Sequence, residues 1–235
     1  MDENNLIACG GNFLDLYAYY SVYNPGYILD QGNMILFDIK KKQFKTLEIK
    51  NFPEKLNFFP HGMELYKNKY IYVINHALNS VDGERIEILE IIKEKDIITH
   101  LNYIKSIKLP DKFLSGTNGL AVASEEDIFF STSFIIRHPA TDKVNFFTKN
   151  IFIMLDYAKY YLNIKMTHLY HYKNGIITKV ENSSSKNDNG VAYDPVNKLI
   201  FLSKHMIEIF VYLSMKKMEM LNSSRIFIWD IILII

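Results

Sequence analysis

Two histidines and two asparagines are the side chains of this sequence best suited to activate water or hold a cation. His61 and His76 stand at the two ends of the segment HGMELYKNKYIYVINH. Imidazole, whose unperturbed pKa is about 6.5, can take a proton from water near neutral pH. Asn118 and Asn189 each precede a glycine, and side-chain amide oxygens are ordinary calcium ligands. These residue types suggest water activation by a histidine pair beside a hard cation.

Three of these residues open copies of one repeated frame, at 61–76, 118–133 and 189–204. Each copy begins with His or Asn, then Gly and an apolar residue, and continues to a polar turn and three large apolar residues. The frame predicts a strand, a tight turn and an antiparallel strand, with the same strand-to-strand offset in every copy. In a propeller blade the first strand lines the channel, so the opening residues are expected at the channel mouth.

A plainer interpretation of the same residues stays open. Asn-Gly or His-Gly can simply begin a strand, because Asn tolerates unusual backbone dihedrals. His76 could likewise be a half-buried strand residue whose ring bonds a backbone carbonyl. A hairpin that bends at its end would instead bring His76 beside His61.

Short strand-like runs separated by turn residues dominate the chain, which predicts an all-β sandwich, barrel or propeller. The repeated hairpin favours a β-propeller. The runs are MILFDI (34–39), KTLEI (45–49), YIYVIN (70–75), RIEILEII (85–92), DIFFSTSF (127–134), HLYHY (168–172), GIITKV (175–180), KLIFLS (198–203) and IEIFVYL (207–213). Residues 150–166 are the best helix candidate, although they could equally hold a strand. The polar run 182–189 is predicted to be a mobile loop or an insertion.

Composition and motifs restrict the function classes. The chain is 49% hydrophobic and 23% charged with a net charge of +1, which indicates an ordinary core and no bulk attraction to nucleic acid or an anionic membrane. The single cysteine, Cys9, excludes an intramolecular disulfide and is expected as a small buried residue rather than a nucleophile. The N-terminus lacks the features of a secretory signal, and the apolar C-terminus is too short to span a bilayer. Serine-elbow, zinc-protease, phosphate-loop and paired C-x-x-C motifs are absent.

Several stretches resemble the serum paraoxonase/arylesterase family in order and spacing, over roughly residues 5–212. The stretches are FPHG, YVINH, IEILEI, LNYIKSIKLPDKFLSGTNGLAVAS and NGVAYDPVNKLIFLSKHMIEIFVY. The resemblance implies a six-bladed β-propeller with two calcium ions in its channel. It also implies hydrolysis of lactones and aryl esters, and in some members of organophosphates.

The resemblance assigns a role to five residues. His61 and His76 match the histidine dyad proposed to activate water in the family. Asn118 and Asn189 match two side-chain ligands of the catalytic calcium. Met63 matches a residue that offers its backbone carbonyl to the structural calcium.

Departures from the family pattern predict that both calcium sites are incomplete. Gly119 stands where the family has an aspartate that binds the structural calcium. The family's Glu-Asp ligands precede the part that corresponds to Asn5, and its Asp-Asn ligands lie in a later blade without a counterpart here. About four of six blades are therefore expected, as a partial propeller over 1–212 followed by a divergent apolar segment over 213–235.

Two functions follow as hypotheses. The first is calcium-dependent hydrolysis of a small lipophilic carboxylic ester or lactone, with water activated by the dyad and the oxyanion stabilised by calcium. The alternative is a catalytically inactive propeller fragment or pseudoenzyme that acts as a binding module and self-associates through open blade edges. No further cofactor and no nucleic acid are expected. A membrane or lipoprotein surface as partner, and an extracellular or membrane-associated location, are implied by the resemblance alone.

Overall fold

The computed structural model describes residues 4–11, 31–76, 83–109, 115–134, 164–204 and 208–213, together with Ile151, Met154, Ala158 and Leu162. Within these residues, fifteen strands form four sheets. The chain divides into two compact units. The first holds Met1–Phe113, Arg137–Asn150 and Ile234–Ile235, and the second holds Leu114–Ile136 and Ile151–Leu233.

The first unit contains two sheets. A three-stranded antiparallel sheet has the order β1-β2-β3, and a five-stranded sheet has the order β4-β8-β7-β6-β5, in which only the β4–β8 pair is parallel. The strands are β1 (Asn5–Gly10), β2 (Asn33–Asp38), β3 (Gln43–Leu47), β4 (Ile49–Lys50), β5 (Pro60–Tyr66), β6 (Tyr70–Asn75), β7 (Arg85–Glu94) and β8 (Ile97–Lys108). Alternate residues of both sheets interdigitate in one apolar core, as period-2 patterning requires. Its fully buried members include Met34, Val73, Leu89 and Leu101.

The second unit repeats this arrangement with two antiparallel sheets, of order β12-β11-β10-β9 and β13-β14-β15. The strands are β9 (Ser115–Ser124), β10 (Asp127–Phe134), β11 (Leu169–Lys173), β12 (Ile176–Lys179), β13 (Asp188–Asp194), β14 (Leu199–Lys204) and β15 (Glu208–Leu213). One buried apolar cluster of this unit is formed by Phe129, Leu169, Ile200 and Leu202.

The prediction of an all-β chain with about four propeller blades is confirmed. Each sheet is built on an antiparallel meander whose first strand lies at one edge, which is the arrangement of a propeller blade. Strands β6 and β10 coincide with the predicted runs 70–75 and 127–134, and most others differ by a residue or two. The run 45–49 is instead divided between β3 and β4.

Two other segments can be compared with their predictions. In 150–166, Ile151, Met154 and Ala158 are helical, and Leu162 N donates to Ala158 O at 2.8 Å. The rest of that segment before Ile164 lies outside the described residues. The C-terminal residues 214–235 lie outside them as well. No helix in the ranges that the structure describes is long and apolar enough to cross a bilayer.

The polar run 182–189, predicted as a mobile loop or an insertion, joins β12 to β13, and its last two residues belong to β13. Ser183 and Ser185 are buried in the second unit. Leu169 N donates to Ser183 Oγ at 3.1 Å. Thr167 and Ser185 exchange two backbone hydrogen bonds, of 3.0 and 2.9 Å. Ser183 and Ser185 therefore lie in a packed connection rather than on the surface.

Candidate functional site

Each of the three repeated hairpins carries a β-bulge at its His-Gly or Asn-Gly dipeptide. At this point two residues of the first strand face a single residue of the second strand. The dipeptides and the residues opposite them are His61-Gly62 with Ile74, Asn118-Gly119 with Ser131, and Asn189-Gly190 with Ser203. A bulge redirects a side chain that regular alternation would place elsewhere. The shared frame thus corresponds to a shared backbone irregularity, rather than to a plain strand start.

The third hairpin departs from the expected offset by one residue. Gly119 N donates to Ser131 Oγ at 3.0 Å, and Gly190 N donates to Ser203 Oγ at 2.7 Å, so these serines are equivalent. The connection between glycine and serine is one residue longer in the third copy. The extra residue lies in the turn after β13, where the Asp194 carboxylate accepts two backbone N–H groups. The prediction of an identical offset is therefore correct for two copies and wrong for the third.

The structure brings His61 and His76 together in the first unit. His61 Nδ1 lies 3.0 Å from His76 Nε2, and the other ring nitrogen of His76 lies 2.8 Å from Glu84 Oε1. The side chains of His76 and Glu84 are only 3% and 2% exposed, while His61 is half-buried. The ring of His76 therefore joins two side chains, and the alternative of a ring bonded to a backbone carbonyl is wrong.

A buried amide holds the backbone on both sides of the histidine pair. Asn75 Oδ1 accepts from Phe59 N at 2.7 Å, and its Nδ2 donates to Asn57 O at 3.0 Å and to Glu87 Oε1 at 2.9 Å. Burial raises the pKa of Glu87, and hydrogen bonds from Ser106 and Asn75 partly oppose that rise. Because Asn75 is fully buried, its bonds fix the spacing between the end of β6 and the segment that leads into β5.

Cys9 and Glu64, in the first unit, also have raised pKa values. Cys9 Sγ donates to His61 O at 2.7 Å, and burial raises the pKa of this thiol to about 11. The thiol is thus protonated near neutral pH, in keeping with a packing role for Cys9. Burial also raises the pKa of Glu64 to about 7. The side chain of Met63 packs against the core of this unit, and the role of its carbonyl as a calcium ligand stays a prediction.

The structure also brings Asn118 and Asn189 together, in the second unit. Asn118 Nδ2 donates to Asn189 Oδ1 at 2.8 Å and to Ser133 Oγ at 2.9 Å. The hydroxyls of Ser133 and Ser131 in turn donate to the carbonyls of Asp188 and Asn189. The bulges of β9 and β13 are therefore joined directly, through side chains and backbone.

The asparagine pair offers at most a small part of a calcium ligand shell. Rotation of the Asn118 amide by half a turn would place its oxygen beside that of Asn189, which gives two neutral oxygens where calcium takes six to eight. Among the described residues, no three His, Cys, Asp or Glu side chains are grouped so that they could hold a metal ion. The neighbouring carboxylate of Asp188 is buried and accepts from Ser185 Oγ. These two amides alone would hold the ion weakly.

Gly119 has a steric role in the asparagine pair. A Cβ placed on Gly119 would lie 2.5 Å from Asn189 O and 2.7 Å from Val191 N. No side chain fits here without displacement of β13. The close approach of the bulges of β9 and β13 therefore leaves no room for an aspartate at position 119.

Glu84 is the residue of this site that sequence reasoning missed. Asn75 pairs with Arg85 in the β6–β7 register, so the next positions outward are His76 and Glu84. Counting along a predicted β6–β7 hairpin would have placed this carboxylate opposite the histidine. The sequence alone does not show where β6 ends and β7 begins, so this register was not evident from it.

Comparisons with known proteins identify the family of the chain. The family model described as arylesterase matches residues 21–226. Serum paraoxonase/lactonase 3 of Oryctolagus cuniculus is 29% identical over 112 residues, which is 45% of this chain and 29% of that protein. The match thus spans less than a third of this curated relative's length.

Two solved structures are also similar to the chain. The major Malassezia sympodialis allergen Mala s 1 has a TM-score of 0.48 and 8% identity, over 79% of this chain and 55% of that one. The β-propeller domain of Myceliophteria thermophila Cps50 (Swd1) has a TM-score of 0.43 and 12% identity, over 76% of this chain and 43% of that one. The family model, in contrast, covers most of the sequence. The chain therefore belongs to the arylesterase family, whose members are ester and lactone hydrolases.

Proposed function

We propose that this chain is a calcium-dependent hydrolase of small lipophilic carboxylic esters or lactones, with His61 and His76 as the pair that activates water. The observation that carries the proposal is the contact of 3.0 Å between the two imidazole rings, one buried and one half-buried. A hydrogen-bonded second imidazole orients the first and shares the proton that it takes from water.

The asparagine pair has a separate role in this proposal. Asn118 and Asn189 would hold the calcium ion, aided by ligands beyond the described residues. When bound, the ion supplies positive charge that stabilises the oxyanion formed at the ester carbonyl. An extracellular or membrane-associated location, with a membrane or lipoprotein surface as partner, stays a prediction.

Hydrolysis of phenyl acetate and γ-butyrolactone, with calcium and with a chelator, tests the proposal. We expect a calcium-dependent rate that falls at least 10²-fold, on the order of a lost general base, in His76→Gln. His171→Gln is the matched control, since His171 also pairs with a carboxylate, Asp127, at 2.6 Å but in the other unit. Folded wild-type protein without calcium-dependent hydrolysis above background would refute the proposal.

A second candidate function rests on the small number of calcium ligands. With two neutral amides as the ligands among the described residues, the chain could retain the fold and bind a lipophilic ester without turnover. Titration calorimetry with calcium distinguishes the two functions. Heat of calcium binding that disappears in Asn118→Leu supports the hydrolase. Ester binding without any calcium heat supports the inactive binder.

A further inference from the structure

The side chain of Glu84 extends the histidine pair into a series of three residues. Glu84, His76 and His61 form a continuous series of side-chain contacts, of 2.8 and 3.0 Å. Glu84 and His76 are both almost fully buried. Their backbones are also fixed, since Leu109 N donates to Glu84 O and His76 N donates to Phe59 O, each at 3.0 Å. The carboxylate therefore meets the ring through rigid surroundings rather than as a mobile surface ion pair.

We propose that Glu84 is a positioning residue that fixes the ring protons of both histidines, an inference that rests on the proposed hydrolase function. When Glu84 is ionised, its carboxylate can only accept a hydrogen bond, so Nδ1 of His76 carries the proton between them. A neutral His76 then has its lone pair on Nε2. That lone pair accepts the Nδ1 proton of His61, which leaves the lone pair of His61 on its own Nε2.

The opposite arrangement would prevent water activation. If His76 carried its proton on Nε2, it would donate to His61 Nδ1. His61 would then carry its proton on Nε2, where it could donate but not accept. Glu84, at the buried end of the series, thus decides whether Nε2 of His61 can accept a proton from water. A carboxylate behind a histidine fixes the tautomer of the ring in the same way in metal sites and serine hydrolases.

The chain offers a matched comparison for this role. Asp127 contacts His171 Nε2 at 2.6 Å in the second unit, where His171 also stacks on Phe129. Asp127→Asn removes a carboxylate from a histidine without touching His61 or His76. We expect this variant to leave hydrolysis unchanged.

Nitrogen-15 spectra of the ring nitrogens test the proposal without reference to activity. The chain has seven histidines, and His61→Gln and His76→Gln assign the two relevant signals. In the wild type we expect both rings to carry the proton on Nδ1. In Glu84→Ala we expect His76 to lose this preference, whereas Glu84→Gln, whose amide oxygen still accepts, should retain it.

Kinetics supply the second readout. Glu84→Ala should lower kcat on phenyl acetate roughly 10²-fold, the upper range for loss of an orienting partner, with little change in KM. Glu84→Gln should recover much of that loss. A wild-type His76 protonated on Nε2, or a folded Glu84→Ala with wild-type tautomers or wild-type kcat, overturns the role of Glu84. Because the wild-type spectrum alone can overturn it, the test does not depend on folding of the variants. Wild-type protein that shows the expected tautomers but no hydrolysis refutes the proposed function instead, and with it the catalytic purpose of the series.

Discussion

Substitution of Gly119 by alanine should destabilise the protein through a backbone collision. The added Cβ would lie 2.5 Å from Asn189 O, 2.7 Å from Val191 N and 2.8 Å from the Cα of Gly190. All three are backbone atoms, so no flexible side chain can move aside. Overpacking of this kind costs about 1–3 kcal/mol, and the lower flexibility of unfolded alanine returns about 0.4–1 kcal/mol. A net loss of roughly 1–2 kcal/mol follows.

Thermal unfolding followed by circular dichroism measures this loss. At about 2–4 °C per kcal/mol for a chain of this size, the midpoint of Gly119→Ala should fall by roughly 2–8 °C. Gly10→Ala is the control, since Gly10 also lies in an edge strand, β1, but its added Cβ would meet no heavy atom within 4 Å. Its midpoint should stay constant or rise slightly. If Gly119→Ala melts no lower than Gly10→Ala, the close approach of the bulges of β9 and β13 is wrong.

Three further expectations follow from buried groups of the first unit. Asn75→Ala removes the hydrogen-bond partner of Phe59 N, Asn57 O and Glu87 Oε1. Urea unfolding should therefore show that the free energy of unfolding falls by roughly 3–5 kcal/mol. A fall no larger than that of an ordinary surface substitution would contradict this network of hydrogen bonds. Burial raises the pKa of Glu64 from 4.5 to about 7, so the folded state holds this proton more tightly than the unfolded state does. The free energy of unfolding should therefore fall as the pH rises from about 4.5 to about 7. Glu64→Gln should remove that fall, and unchanged pH dependence of the urea midpoint would disprove the burial effect. Cys9, with its pKa raised to about 11, should react with iodoacetamide at pH 8 far more slowly than in urea, as mass spectrometry can measure.

The strands were predictable because their signals are local. A run such as YIYVIN needs only β-branched and aromatic residues between turn residues, and β6 occupies it fully. The burial of the polar run at 182–189 was not predictable, because composition does not reveal what a serine bonds to. The Ser183 hydroxyl accepts from the backbone N–H of Leu169, and the Ser185 hydroxyl donates to the buried carboxylate of Asp188, partners that only the packed fold supplies.

The site was predictable in part for a similar reason. The repeated frame located His61, Asn118 and Asn189 at equivalent places without any knowledge of the fold. It did not find Glu84, because that residue meets His76 through the register of two neighbouring strands rather than through a repeated spacing. It also did not reveal that the two asparagines bond to each other, which depends on how closely β9 approaches β13.

The bulge explains how one frame can serve two chemistries. In the second and third copies a serine stands opposite the dipeptide, and its hydroxyl accepts the glycine N–H that the bulge removes from the ladder. In the first copy Ile74 stands there and offers no such oxygen. The polar contacts of His61 at this bulge include the Cys9 thiol, which donates to its carbonyl, and the ring of His76, which in turn contacts Glu84. Because the backbone irregularity is common to all three copies, the choice of side chains around it decides whether the position presents an amide oxygen or an imidazole nitrogen.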